Sequence, residues 1–225
     1  MTDKNGPSRV RYDEGCLAAH ALNQIGDRWA LLVVRELMFT AKRFQMIRAG
    51  IPGVTAGVLT ARLAQLREAG VVAHDRALGL YALTDAGRGL LPVLEALCRW
   101  APAIPGHDPS RFISPTALMI SMGANLDRMA AKGRSARGGL DFGTEAFETD
   151  LVEGRLQTRA VARPEAPFIL KGDGGAMAKA VYGAASLEKL IALDAIAAEG
   201  DLAAAQGFVD MFRLAPPPTP FPHDP

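Results

Sequence analysis

Cysteine is scarce in this chain of 225 residues: Cys16 and Cys98 are the only two. Two thiols are too few for a disulfide framework, so a reducing, cytoplasmic setting is the expectation. Long hydrophobic runs are missing too. No stretch of 18 or more apolar residues occurs, which predicts no membrane span, and the opening MTDKNGPSRVRYDEG lacks the apolar centre of a secretory signal. The four histidines, His20, His74, His107 and His223, are scattered, with no HExxH or other metal-ligand spacing among them. There is no GxSxG and no Walker-type loop, and Gly172-Asp173-Gly174-Gly175 stands without the rest of a dinucleotide fingerprint. Cys16 and His20 are spaced as a nucleophile and base would be on one helix, but nothing around them completes a site. Metal, cofactor and catalytic residues are therefore not expected, and the chain reads as a non-enzyme.

What is present is a globular composition, 49% hydrophobic with a mean hydropathy of +0.09, enough chain for one large or two small domains. The formal charge of +1 hides an asymmetry. Residues 1–107 carry 13 Lys/Arg against 9 Asp/Glu, whereas residues 108–225 carry 12 against 15. A basic front half suits phosphate contact; an acidic rear half does not.

The most informative stretch runs from Arg43 to Leu83. A short helix from about Arg43 to Ala49 is followed by the turn Gly50-Ile51-Pro52-Gly53, and Thr55 can cap a second helix. Leu59, Leu63 and Leu66 fall on one stripe of a 3.6-residue period, and Gly70 stands where a helix ends in a left-handed residue. Residues 71–74 and 80–83 read as a hairpin around Arg76 and Gly79. Helix, turn, helix and basic hairpin is the layout of a winged helix-turn-helix, which places one helix in the major groove. The DNA-contact candidates are Arg43, Thr55, Gly57, Thr60, Arg62 and Gln65, with His74 and Arg76 from the wing. Arg28, Arg35 and Lys42, near helix ends, could also meet phosphate or form a solvated rim. A long helix from Thr84 to Ala101, carrying Leu90, Leu91, Leu94, Leu97, Cys98 and Trp100, holds more apolar surface than a small winged domain covers.

Further motifs frame this stretch: Ile25-Gly26-Asp27-Arg28-Trp29, Leu31-Leu32-Val33-Val34-Arg35-Glu36-Leu37, Ile51-Pro52-Gly53-Val54-Thr55, Leu66-Arg67-Glu68-Ala69-Gly70-Val71-Val72 and Tyr81-Ala82-Leu83-Thr84-Asp85-Ala86-Gly87. In that order and spacing they resemble the HxlR family of bacterial winged-helix transcriptional regulators, over roughly Gly15 to Trp100. The resemblance implies double-stranded DNA as partner and a homodimer in which the first and last helices of this half pack against a second subunit. Without the resemblance, the apolar surplus could equally cover the rear half of the same chain. Such regulators usually carry a basic residue where Gly57 stands. Some sense oxidants or electrophiles through a cysteine at the position of Cys16, which makes it a redox-sensing candidate; the alternative is a packing residue.

Proline and glycine mark a break: residues 102–110 read as a semi-rigid linker between residues 1–101 and a second domain, 111–213. That domain opens with a helix from Pro115 to Lys132. Alternating runs follow around Phe147, Thr149 and Leu151 and around Leu156, Thr158 and Ala160, joined at Glu153-Gly154, with Leu140-Asp141-Phe142 and Phe168-Ile169-Leu170 as neighbouring strands of an antiparallel sheet. Helices at 174–182, 187–193 and 202–212 would cover it, an α+β arrangement. Residues 214–225 read as a proline-rich tail. The Glu153-Gly154 hairpin, Leu170-Lys171-Gly172-Asp173, Tyr182-Gly183 and Glu199-Gly200-Asp201 followed by Phe208, Met211 and Phe212 resemble the sterol carrier protein-2 (SCP2) fold. That resemblance implies an apolar cavity for a hydrophobic effector, with Phe142, Phe147, Phe168, Met177, Phe208, Met211 and Phe212 as lining candidates; apolar residues at such spacing can equally be core. The chain thus reads as a DNA-binding regulator that responds to a ligand. The rival reading is a lipid or hydrophobic-metabolite carrier whose winged domain serves dimerisation.

Overall fold

The computed structural model describes residues 12–214, so the proline-rich tail expected at 214–225 lies, all but Leu214, outside the described residues. The front half runs α1 (Leu17–Ile25), α2 (Ala30–Glu36), β1 (Lys42–Arg43), α3 (Phe44–Ala49), α4 (Ala56–Glu68), β2 (Val72–Asp75), β3 (Leu80–Leu83), α5 (Asp85–Arg88) and α6 (Leu91–Trp100). This is a winged helix-turn-helix. Strand β3 lies between β1 and β2, antiparallel to both, so the hairpin gains a third strand from the chain just ahead of α3. The Thr55 hydroxyl accepts the Val58 N–H at 3.3 Å, capping α4. Leu59, Leu63 and Leu66 are buried with Ile47, Val33 and Val34, each contributing about 1.5–3 kcal/mol by leaving water. Gly70 ends α4 at φ 72°, a conformation glycine adopts without strain.

The long helix expected from Thr84 is two. Thr84 caps only a single turn, α5, before Gly89 and Leu90; Pro92, which has no N–H to donate, then sits in the first turn of α6. After a 3-10 turn (Ala101–Ala103), residues 104–112 run exposed to α7 (Pro115–Ala124), capped by Ser114. This helix stops at Asn125, not Lys132: the Asp127 carboxylate accepts the N–H groups of Met129 and Ala130 and folds the following residues into a turn.

The rear half continues with β4 (Ala136–Asp141), β5 (Ala146–Val152), β6 (Arg155–Val161), β7 (Phe168–Lys171), α8 (Gly174–Tyr182), α9 (Leu187–Ala192), β8 (Ala197–Gly200) and α10 (Leu202–Val209). The sheet order is β6-β5-β4-β7-β8. It is mixed where an antiparallel sheet was expected, because β7 lies parallel to β4. The connection from β6 must cross to the far side of β4 to reach that place. Two glycines make room: a Cβ on Gly139 would stand 2.6 Å from Pro164 of the connection, and one on Gly138 would stand 2.3 Å from the Phe168 ring. Both residues of the β5–β6 turn, Glu153 and Gly154, have positive φ (51° and 71°), as a tight hairpin requires.

The two halves share packing. Ile120 of α7 belongs to the core of the winged half, while Leu118, Met119 and Met122 of the same helix belong to the rear core. Phe39, between α2 and β1, packs on both cores and meets Phe147 edge to face at 5.8 Å. Beside it lies a buried ionic cluster. Lys42, fully buried, donates to Glu36 (3.2 Å), Thr116 (2.9 Å) and Glu145 (2.8 Å). Glu36 in turn accepts from Ser114 (2.6 Å) and Arg35 (2.9 Å), and Arg35 donates to the Gly50 carbonyl at 2.7 Å. Arg35 and Lys42, weighed above as phosphate contacts, are spent inside the fold.

Candidate nucleic-acid interface

The outer face of α4 is exposed and made of small residues. Ala56, Gly57, Thr60, Ala61 and Ala64 face solvent, and nothing lies within 4 Å of where a Cβ on Gly57 would be. Thr60 spends its hydroxyl proton on the Ala56 carbonyl at 2.9 Å, and Thr55 is exposed at the helix start with its oxygen in the cap. Arg43 is exposed at the end of β1, in the same strand as buried Lys42. Alternation along an extended strand sends one side chain inward and the next outward.

Arg62 and Gln65 are placed otherwise. The Arg62 guanidinium forms an ion pair with Asp27 at 2.9 Å and meets the Gln65 side chain, and Gln65 donates to the Gln24 carbonyl at 3.2 Å. These two side chains brace α4 against the α1–α2 corner. Asp27 also accepts the Trp29 N–H at 2.8 Å, so its carboxylate holds that corner and the helix together.

In the wing, His74 is half-buried and stacks on Tyr81, its cross-strand partner, with ring centroids 4.1 Å apart and planes 8° apart. Arg76 is exposed in the β2–β3 turn, where the Asp75 carboxylate accepts the N–H groups of Ala77 and Leu78 and sets the turn. An open recess of about 440 Å³ lies between helix and wing, lined by Ala64, Arg67 and Glu68 on one side and by Val72, Ala73 and His74 on the other. The structure therefore brings His74 together with the outer face of α4 and adds Arg67, which was not among the sequence-based candidates.

The exposed apolar residues of this half include Leu17 (85%) and Leu22 on α1, and Val93, Leu97 and Trp100 (58%) on α6. The rear half covers only part of α6, whose Leu94 is buried. Cys16 is exposed at the N-cap of α1, while Cys98 is partly buried and desolvation pushes its thiol pKa up.

Comparison with known proteins agrees with this geometry. The HxlR-like helix-turn-helix family matches residues 24–107. An HTH-type transcriptional regulator of Methanothermobacter thermautotrophicus (strain Delta H) is 32% identical over 97 residues, spanning 41% of this chain and 74% of that protein. The chain belongs to the HxlR-like helix-turn-helix family. A second relative, the HTH-type transcriptional regulator YvaP of Bacillus subtilis (strain 168), is 35% identical over 86 residues, 36% of this chain and 80% of YvaP. Among solved structures, quinone-bound YodB from B. subtilis shares 30% identity over 39% of this chain and 97% of its own, with a TM-score of 0.36. This HxlR-like protein is accordingly a DNA-binding transcriptional regulator. These matches cover the front of the chain.

The rear-half candidates Phe142, Phe147, Phe168, Met177, Phe208, Met211 and Phe212 are all buried in one core. Phe208 packs against both Phe168 and Phe212, with ring centroids 5.4 Å and 5.0 Å away. A groove of about 410 Å³ runs past Phe168, Phe208 and Met211, with Arg134 and Arg137 among its other lining residues. On the outer face of the sheet, Glu148 is buried between Arg137 (2.8 Å) and Arg159 and accepts the Glu165 N–H at 2.7 Å. That backbone bond and the Arg137 guanidinium hold its carboxyl pKa down, from 4.5 to about 2.

Proposed function

We propose that the protein acts as a homodimer on two related DNA half-sites and that its rear half is an SCP2-like effector domain. The observation that carries the DNA part is the open recess between the exposed face of α4 and the wing. The small residues of that face let the helix backbone come close to base edges and suit contact with thymine methyl groups, while Arg43, Arg67 and Arg76 supply phosphate contacts. Arg62 and Gln65 brace the helix in this reading; Thr55, Gly57, Thr60 and His74 keep their places at the interface. The dimer surface is the apolar face of α1 and α6, and a two-fold axis there would present both α4 helices to one side of a duplex. Residues 102–110 link the two units, and a hydrophobic effector would enter the rear unit by the groove beside Phe168 and Phe208. Exposed Cys16 stands at the start of the dimerising helix, where oxidation would be felt.

Salt titration tests the proposal. Binding to duplex DNA, followed by fluorescence anisotropy between about 50 and 200 mM salt, should weaken with a log–log slope of about −0.9 per phosphate contact, and Arg76→Ala should flatten the slope by about one contact. A carrier whose winged half only dimerises would show no such slope, and Arg76→Ala would change nothing.

A further inference from the structure

Lys42 is buried inside a domain that cannot neutralise it alone. Around it the winged half supplies Arg35, Lys42 and Glu36, two cations against one anion. The second carboxylate, Glu145, comes from the β4–β5 turn of the rear half, 2.7 Å from the ammonium at closest approach, and Thr116 of α7 provides the third acceptor. Thr116 also donates to Glu145 at 3.3 Å, so the two rear-half partners hold each other. A buried ammonium that loses one carboxylate partner is left under-compensated and strongly destabilised, so charge balance favours the rear half in the place it occupies.

The position of Lys42 in the wing gives this balance a consequence. Lys42 pairs with Tyr81 and Arg43 with Leu80, so β1 holds the flank of β3 opposite to β2. Arg43 leaves the strand outward and directly precedes α3; Tyr81 carries the stack on His74. Whatever fixes Lys42 therefore fixes Arg43 and the β3 backbone on which the wing hangs. On the other side, the turn that carries Glu145 is tied to the rear core: the Phe142 N–H donates to the Glu145 carbonyl at 2.9 Å, and Phe142 meets Phe147 edge to face at 6.0 Å. Phe147 in turn touches Phe39.

We propose that Glu145 and Thr116 are positioning residues for DNA binding, acting through Lys42 to fix β1, Arg43 and the wing relative to α4. The β4–β5 turn is then the place where the rear half acts on the DNA-binding half. The inference rests on the reading that Arg43 and the wing meet DNA.

The test uses the full-length chain and a duplex selected for binding by the wild-type protein. Glu145→Ala should lower affinity for that duplex by about tenfold or more, reduce the salt slope by about one contact as Arg43 loses its place, and speed amide exchange at Leu80 and Tyr81 while β5 and β6 stay protected. Glu145→Gln, which keeps the shape and an acceptor, should recover part of the affinity. Thr116→Val, close to isosteric and charge-neutral, should cost two- to fivefold and decides the matter should Glu145→Ala fail to fold. Unchanged salt slope and exchange in Glu145→Gln and Thr116→Val would overturn the proposal. So would a loss of affinity in either that only tracks its melting temperature. A missing salt slope in the wild type would instead sink the DNA reading on which the inference stands.

Discussion

Arg62→Met separates two roles that an arginine on α4 can play. If Arg62 reads a base, the substitution should relax sequence preference and leave the fold alone. The structure gives the opposite expectation. The guanidinium lies 2.9 Å from Asp27 with its side chain 14% exposed, and its neighbour Gln65 ties the same helix to Gln24. A charge-assisted bond of this kind contributes about 1.5–3 kcal/mol, and the partial exposure of Asp27 lowers the cost of leaving that carboxylate alone, so a loss of ~2 kcal/mol is expected. For a chain of this size each kcal/mol moves the melting temperature by about 2–4 °C, which predicts a drop of roughly 4–8 °C by calorimetry. Binding to a panel of duplexes differing at single base pairs should keep its rank order, with each affinity reduced by a common factor. An Arg62→Met variant that melts like the wild type and loses preference at one base pair would refute the brace and restore the reader.

Other consequences can be checked as directly. Glu148 has a folded-state pKa of about 2 against 4.5, so its contribution to stability is complete above pH 4.5 and fades as pH falls toward 2. Glu148→Gln should therefore unfold more easily in urea at about pH 6 and show a flatter loss of stability between pH 4.5 and pH 2 than the wild type. Leu97→Asp with Trp100→Asp alters two exposed side chains and should cost little in monomer stability, yet light scattering should show half the wild-type mass if α6 lies in the dimer surface. A maleimide should label exposed Cys16 well before Cys98, whose burial raises its thiol pKa; equal rates would show that α6 opens readily.

The winged half was legible because its signals are local. Thr55 caps three residues ahead, three leucines keep one helical stripe, and Gly70 takes the positive φ that its position asks for. The Glu153-Gly154 hairpin was legible for the same reason. What escaped is decided by distant partners. β8, Ala197–Gly200, has no β-branched residue and forms because the open edge of β7 offers its backbone groups. The parallel course of β7 depends on two glycines in another strand making way for Pro164 and Phe168. Lys42 sits in sequence among exposed residues that could meet phosphate, and its burial depends on acceptors as far as 74 and 103 residues away as well as on Glu36. Arg62 and Gln65 read as DNA-contact candidates, because pattern alone cannot say whether a long side chain on α4 reaches out or curls back toward the α1–α2 corner.

Helix α7 belongs to two cores at once, and this bears on how such a chain can be taken apart or put together. Cutting before it would strip Ile120 from the DNA-binding half, and cutting after it would strip Leu118, Met119 and Met122 from the remainder. Neither piece can be lifted out as a finished module and grafted elsewhere. The rear half is less a passenger added to a regulator than a part of its frame, and both should melt in a single step.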